Sequence, residues 1–100
     1  MNKYVVLYSR TPGFGPINAE AALRRGIDRM GYDYVAIVDA RDKEELFRQM
    51  NHVDGTALVA RMKGTRSMSS GDVVVELTPG GQVTTWMCCS IGWAEVAVER

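Results

Sequence analysis

Arg66-Ser67-Met68-Ser69-Ser70-Gly71-Asp72-Val73-Val74-Val75-Glu76-Leu77 is the stretch on which the reading of this chain turns. Its first half is rich in hydroxyls, with a glycine and a carboxylate, and such side chains bond to nearby backbone and favour turns. Its second half is a β-branched run, stiff at χ1 and suited to a pleated sheet. Together they predict a capped turn that launches a strand. Ser67 and Ser69 are placed to cap a single helical turn. Asp72 is placed to accept backbone amides at the start of that turn or within it. Gly71 supplies the dihedral freedom for entering the strand.

Toward the C-terminus, Thr78-Pro79-Gly80-Gly81 separates the runs Asp72–Leu77 and Gln82–Cys88, a hairpin signal. Gly92 interrupts the next run, which resumes as Trp93–Val98. Toward the N-terminus, Tyr4–Tyr8 reads as a strand and Thr11-Pro12-Gly13-Phe14-Gly15-Pro16 as a loop dense in turn formers. A helix is expected from about Ile17 to Met30, with Leu23, Ile27 and Met30 at i, i+4 and i+7 and Gly31 as its stop. Tyr32–Val38 is a second strand. Asp42-Lys43-Glu44-Glu45 is a capping box, and the helix behind it carries Leu46, Phe47 and Met50 on one face and ends near Asn51-His52. Asp54-Gly55 is a turn. Ala57–Met62 suits a third strand, with helix or loop left open. The order strand, helix, strand, helix and then an antiparallel hairpin or sheet is an α+β pattern, one small domain over residues 1–100.

Composition narrows the function classes. Twelve basic residues balance twelve acidic ones and the isoelectric point is about 6.6, so no global field draws the chain to nucleic acid or anionic lipid. No apolar run approaches the roughly 20 residues needed to span a bilayer. The N-terminal apolar stretch is too short for a signal peptide, so a cytoplasmic location is expected. Cys88 and Cys89 are adjacent, which on a strand points their side chains to opposite faces and disfavours pairing. A zinc site needs wider cysteine spacing and more ligands than these two and the single histidine, His52. Neither metal nor cofactor is expected.

The order of motifs resembles the YodL-like domains, found in small bacterial proteins and in large proteins of plasmids, phages and conjugative elements. The matching pieces are Tyr34–Val38, Leu46 through Asn51, Arg66 through Val74, and Gly92-Trp93. The Ser67-x-Ser69-x-x-Asp72-Val73-Val74 core is the most specific of them. Ser70 stands where the family usually has an apolar residue, and Thr65 where glycine often precedes the basic position. The stretch Gly55–Lys63 resembles an insertion. The resemblance implies an α+β fold and a mobile-element accessory protein, phage-borne or plasmid-borne, that acts on a host target in the host cytoplasm.

A nucleophilic serine in Ser69-Ser70-Gly71-Asp72 would need a positioned base, and His52 would have to come from the end of the second helix. The capped turn accounts for these residues better, so no enzyme is read here. Gly13-Phe14-Gly15 lacks the third glycine of a phosphate-binding loop and sits between prolines, which suits a rigid connection. Arg61, Lys63 and Arg66, leading into Ser67 and Ser69, form the best anion-binding constellation in the chain. Phe14, Trp86 and Trp93 are the candidate partner anchors, although the tryptophans suit the sheet core or its rim and Phe14 can fold back. Met62, Met68 and Met87 read first as core filler. The expected role is a non-enzymatic module that binds and modulates a host protein, or self-associates. The alternative is a protein that sequesters a nucleotide or another phosphorylated small ligand through the basic and serine residues.

Overall fold

Tyr4, Val6 and Tyr8 alternate with Lys3, Val5 and Leu7, and this period-two pattern forms β1 (Asn2–Ser9). The computed structural model describes residues 1–11, 15–51, 58–61, 67–96 and 98–99. In it β1 lies inside a six-stranded sheet, paired antiparallel with β3 (Tyr32–Ala40) on one side and β5 (Val73–Leu77) on the other. β4 (Leu58–Arg61) extends the sheet beyond β3, and β6 (Val83–Cys88) and β7 (Trp93–Glu95) extend it beyond β5. Every pairing in this sheet is antiparallel. β2 (Ile27–Asp28) and β8 (Val98–Glu99) form a separate parallel pair.

Register sorts the side chains onto two faces. Val6 stands beside Ala36 and Val74, Val74 beside Trp86, and Cys88 beside Trp93, so these residues share one face. Leu46 and Met50 of α2 (Lys43–Met50) bury that face together with Tyr4, Val6 and Val38. On the opposite face Val73, Met87 and Ala94 pack with Ala22 of α1 (Ala19–Arg25) and with Ile27. Farther along that second face Val5, Ile37, Val75 and Leu77 are half-buried and Val83 is exposed. Among the described residues the sheet carries one α-helix on each face.

The α+β expectation holds, and so do the hairpin and the strand character of Leu58–Arg61. The first helix is far shorter than its periodicity suggests. Asn18 Oδ1 accepts the Ala21 amide at 3.0 Å to begin it, and Gly26 ends it after seven residues at φ 67°. That left-handed backbone suits glycine, and the Gly26 N–H closes the last turn on the Ala22 carbonyl. Ile27 and Asp28 then become β2, and Arg29–Gly31 a 3-10 turn. Leu23 and Met30, the expected core stripe, are 62% and 79% exposed.

The capping box is offset by one position. Asp42 Oδ1 accepts the Glu45 amide at 2.8 Å, but the Glu45 carboxylate returns to the Arg41 amide at 3.3 Å and to its guanidinium at 2.6 Å. The stronger charge-assisted bond to Arg41 fixes the carboxylate there. The last run also divides, into β7 on the main sheet and β8 beside β2. Asp54-Gly55 and Met62 lie outside the described residues.

Candidate binding surface

The Asp72 carboxylate organises the turn ahead of β5. Asp72 is fully buried, and its two oxygens accept the Ser9 and Ser69 amides, each at 2.8 Å. The Asp72 N–H closes the turn on the Ser69 carbonyl at 3.1 Å, so Ser69 contributes backbone to this structure. No helical turn forms over residues 67–72. Gly71 N–H donates to the Cys88 carbonyl at 2.7 Å and Cys88 N–H to the Asp72 carbonyl at 2.8 Å. The Tyr32 hydroxyl donates to the Gly71 carbonyl at 2.8 Å. Gly71 itself sits at φ 97°, where a side chain is strained.

Gly15 fits against this turn because it has no side chain. A Cβ there would fall 2.1 Å from both the carbonyl carbon and the oxygen of Ser70. The loop before α1, β1, β3 and the end of β6 therefore all meet at one polar junction.

Only part of the anion constellation falls among the described residues. Lys63 and Arg66, like Phe14 and His52, lie outside them. Arg61 ends β4 in the cross-sheet row of Ala36, Val6 and Val74, so β3 and β1 separate its backbone from β5 by about 14 Å. Ser67 is exposed and Ser69 half-buried.

Trp86 is held by internal contacts. Its Nε1 donates to Glu76 Oε1 at 3.4 Å, and Lys43 Nζ stands 3.8 Å from its ring centroid. Glu76 Oε2 also accepts the hydroxyl of fully buried Tyr4 at 2.6 Å. Burial, then the Glu76 bond, pushes the Tyr4 phenol well above its ordinary range.

Trp93 occupies a different setting. It packs partly buried against the core beneath α2 and forms one wall of a cleft of about 260 Å³ with Glu44, Phe47, Cys88 and Gly92. On the other side, Ala94 and Val96, with Trp93 and Glu95, line a groove of about 560 Å³ against Ala19 and Leu23 of α1. Ile17 and Ile91, 64% and 73% exposed, are joined near this end by the bond from the Ile91 amide to the Ile17 carbonyl. Cys88 and Cys89 are free, buried and divided between the two cores. Burial, with the Asp72 charge behind it, pushes the Cys88 thiol up to about 12, and burial raises Cys89 as well. Neither is a thiolate at neutral pH.

β7 is the outermost strand of the sheet on this side. Val96 N–H donates to the Thr85 carbonyl, Cys89 N–H donates to the Gly92 carbonyl, and Ala94 stands opposite Met87. In antiparallel alternation the N–H and C=O groups of Trp93 and Glu95 then point away from β6. Sequence reasoning singled out Trp93 but missed this edge. Gly92 and the shortness of the run after it were the only signals available. Comparisons with family models, curated proteins and solved structures return no match.

Proposed function

We propose that this domain is a non-enzymatic binding module that occupies the surface of a partner protein and modulates it. The observation that carries the reading is the exposure of Ile17, Leu23 and Ile91, each more than half exposed: Leu23 lines the groove beside β7, and Ile17 and Ile91 are joined by a backbone bond just ahead of that strand. Several large apolar side chains held at one end of a small domain mark an interaction surface. The resemblance to YodL-like domains supports a mobile-element accessory protein with a host protein as its target, acting in the host cytoplasm. The buried Asp72 carboxylate also favours protein over a phosphorylated ligand, because it places an acid inside the turn that would receive the phosphate.

The test is affinity capture from a bacterial host lysate, with mass spectrometry of both protein and small-molecule fractions. Calorimetry against a panel of nucleotides accompanies it. One protein enriched at near-stoichiometric yield, with flat calorimetry, is the expected result. Micromolar or tighter nucleotide binding that disappears in the Arg61→Ala/Arg66→Ala double variant would replace this reading with the sequestration role.

A further inference from the structure

The two hollows beside Trp93 lie on opposite faces of the same edge strand. The cleft on the α2 side is walled by Phe47 and Trp93, and among the described residues its one charged lining residue is Glu44. Glu44 makes no ion pair among the described residues, while Lys43 is held over Trp86. Glu95 stands opposite Trp86 in the register but lines the groove on the α1 side, so Glu44 is the carboxylate that this cleft offers. Two aromatic rings with the Glu44 carboxylate suit a guanidinium or ammonium group, through charge pairing and cation–π contact. The groove on the α1 side is lined by Ala19, Leu23, Ala94 and Val96 together with Trp93 and Glu95, and its aliphatic wall suits an aliphatic side chain. Between the hollows, the outward N–H and C=O groups of Trp93 and Glu95 make no hydrogen bond to the described residues.

An added strand sends successive side chains to opposite faces. The two chemistries on either side of β7 are therefore read by neighbouring residues of one extended segment. We propose that β7 is a strand-addition site for an extended segment of a partner protein in which basic and aliphatic residues alternate. Main-chain bonds to Trp93 and Glu95 hold the segment, the basic side chain enters the Glu44–Phe47–Trp93 cleft, and the aliphatic one packs on Leu23. This deepens and rests on the reading of the domain as a protein-binding module.

The test uses the full chain and a blocked peptide, Thr-Val-Arg-Val-Arg-Val-Thr. Three comparisons accompany it: a version with glutamate for arginine, a version N-methylated at alternate amides, and the variants Glu95→Pro, Glu95→Gln and Glu44→Lys. Glu95→Pro removes an outward N–H without touching the bonds to β6, a position where edge strands tolerate proline. The arginine peptide should bind with amide shifts centred on Trp93–Glu95. Glutamate in the peptide, N-methylation and Glu95→Pro should each weaken binding by about tenfold or more, and Glu95→Gln by less than about threefold. Glu44→Lys should weaken the arginine peptide selectively.

Equal binding of the arginine and glutamate peptides, absence of binding, or shifts remote from β7 would overturn the proposal. A dimer in light scattering that Glu95→Pro dissociates would also overturn it, by making a second copy the occupant. If a captured host protein stays bound to the Glu95→Pro variant, the binding-module reading survives and the strand-addition site does not.

Discussion

The Asp72 carboxylate accepts the Ser9 amide at 2.8 Å across 63 positions of sequence. Its other oxygen accepts the Ser69 amide only three residues away. One side chain thus shapes its own turn and ties that turn to the end of the central strand. The Ser9 bond is buried, so water cannot replace the carboxylate there, whereas the Ser69 bond is part-buried.

Removing that acceptor should be costly. Asp72→Ala strands the buried Ser9 amide at roughly 1–3 kcal/mol and removes the part-buried bond to Ser69 at roughly 1 kcal/mol, so a loss of about 2–4 kcal/mol is expected. A urea melt of Asp72→Ala reads this directly. An unchanged midpoint would contradict the organising role of the carboxylate.

Glycine substitutions should rank by what the new Cβ meets. At Gly15 it meets Ser70 backbone at 2.1 Å, so Gly15→Ala must push the α1 loop off the turn, with a loss of about 3 kcal/mol or more. At Gly92 φ is 73° but the surrounding space is open, and Gly92→Ala should cost only the roughly 1–2 kcal/mol of left-handed backbone. Paired thermal melts distinguish the two; a reversed order would show that the loop yields freely.

The first helix offers a direct contrast between neighbours. Ala22 is fully buried against Met87 and Ala94, whereas Leu23 is 62% exposed. Ala22→Gln should lose roughly 1–3 kcal/mol, and Leu23→Gln should stay within about 0.5 kcal/mol of the parent. The same Leu23→Gln variant should weaken the valine–arginine peptide. Chemical denaturation and peptide titration on the same pair of proteins check both outcomes.

Stability should fall on the alkaline side. Cys88 binds its proton more tightly in the native state, its pKa raised from an ordinary 9.0 to about 12, and the Tyr4 phenol is raised as well. The unfolded chain therefore loses these protons first. The stabilisation is complete below about pH 9 and is lost as pH rises toward the native values. Urea midpoints should decline between about pH 9 and 11. Cys88→Ala and Tyr4→Phe should each flatten part of that slope. An aromatic disulfide reagent at neutral pH should leave both cysteines unmodified until urea is added. Rapid native labelling of Cys88 would contradict its burial.

The sequence by itself determined the local devices. The alternation of Tyr4–Tyr8, the Thr78–Gly81 hairpin, the Asp42 cap and the turn into Val73 each depend on residues a few positions apart, whose backbone preferences act without the rest of the chain. Tertiary structure decided what the faces meet. The apolar spacing of Leu23, Ile27 and Met30 gave no warning that Gly26 would end the helix. In a helix of two turns a single alanine suffices for contact, because its small side chain brings the backbone close to the sheet. Asp72 was legible as an amide acceptor in its own turn, but its second donor, Ser9, arrives from a strand that the sequence cannot place beside it. The edge at Trp93 was hidden for the same reason. A strand becomes an edge only through the order of its neighbours, and that order is set by packing across the whole sheet.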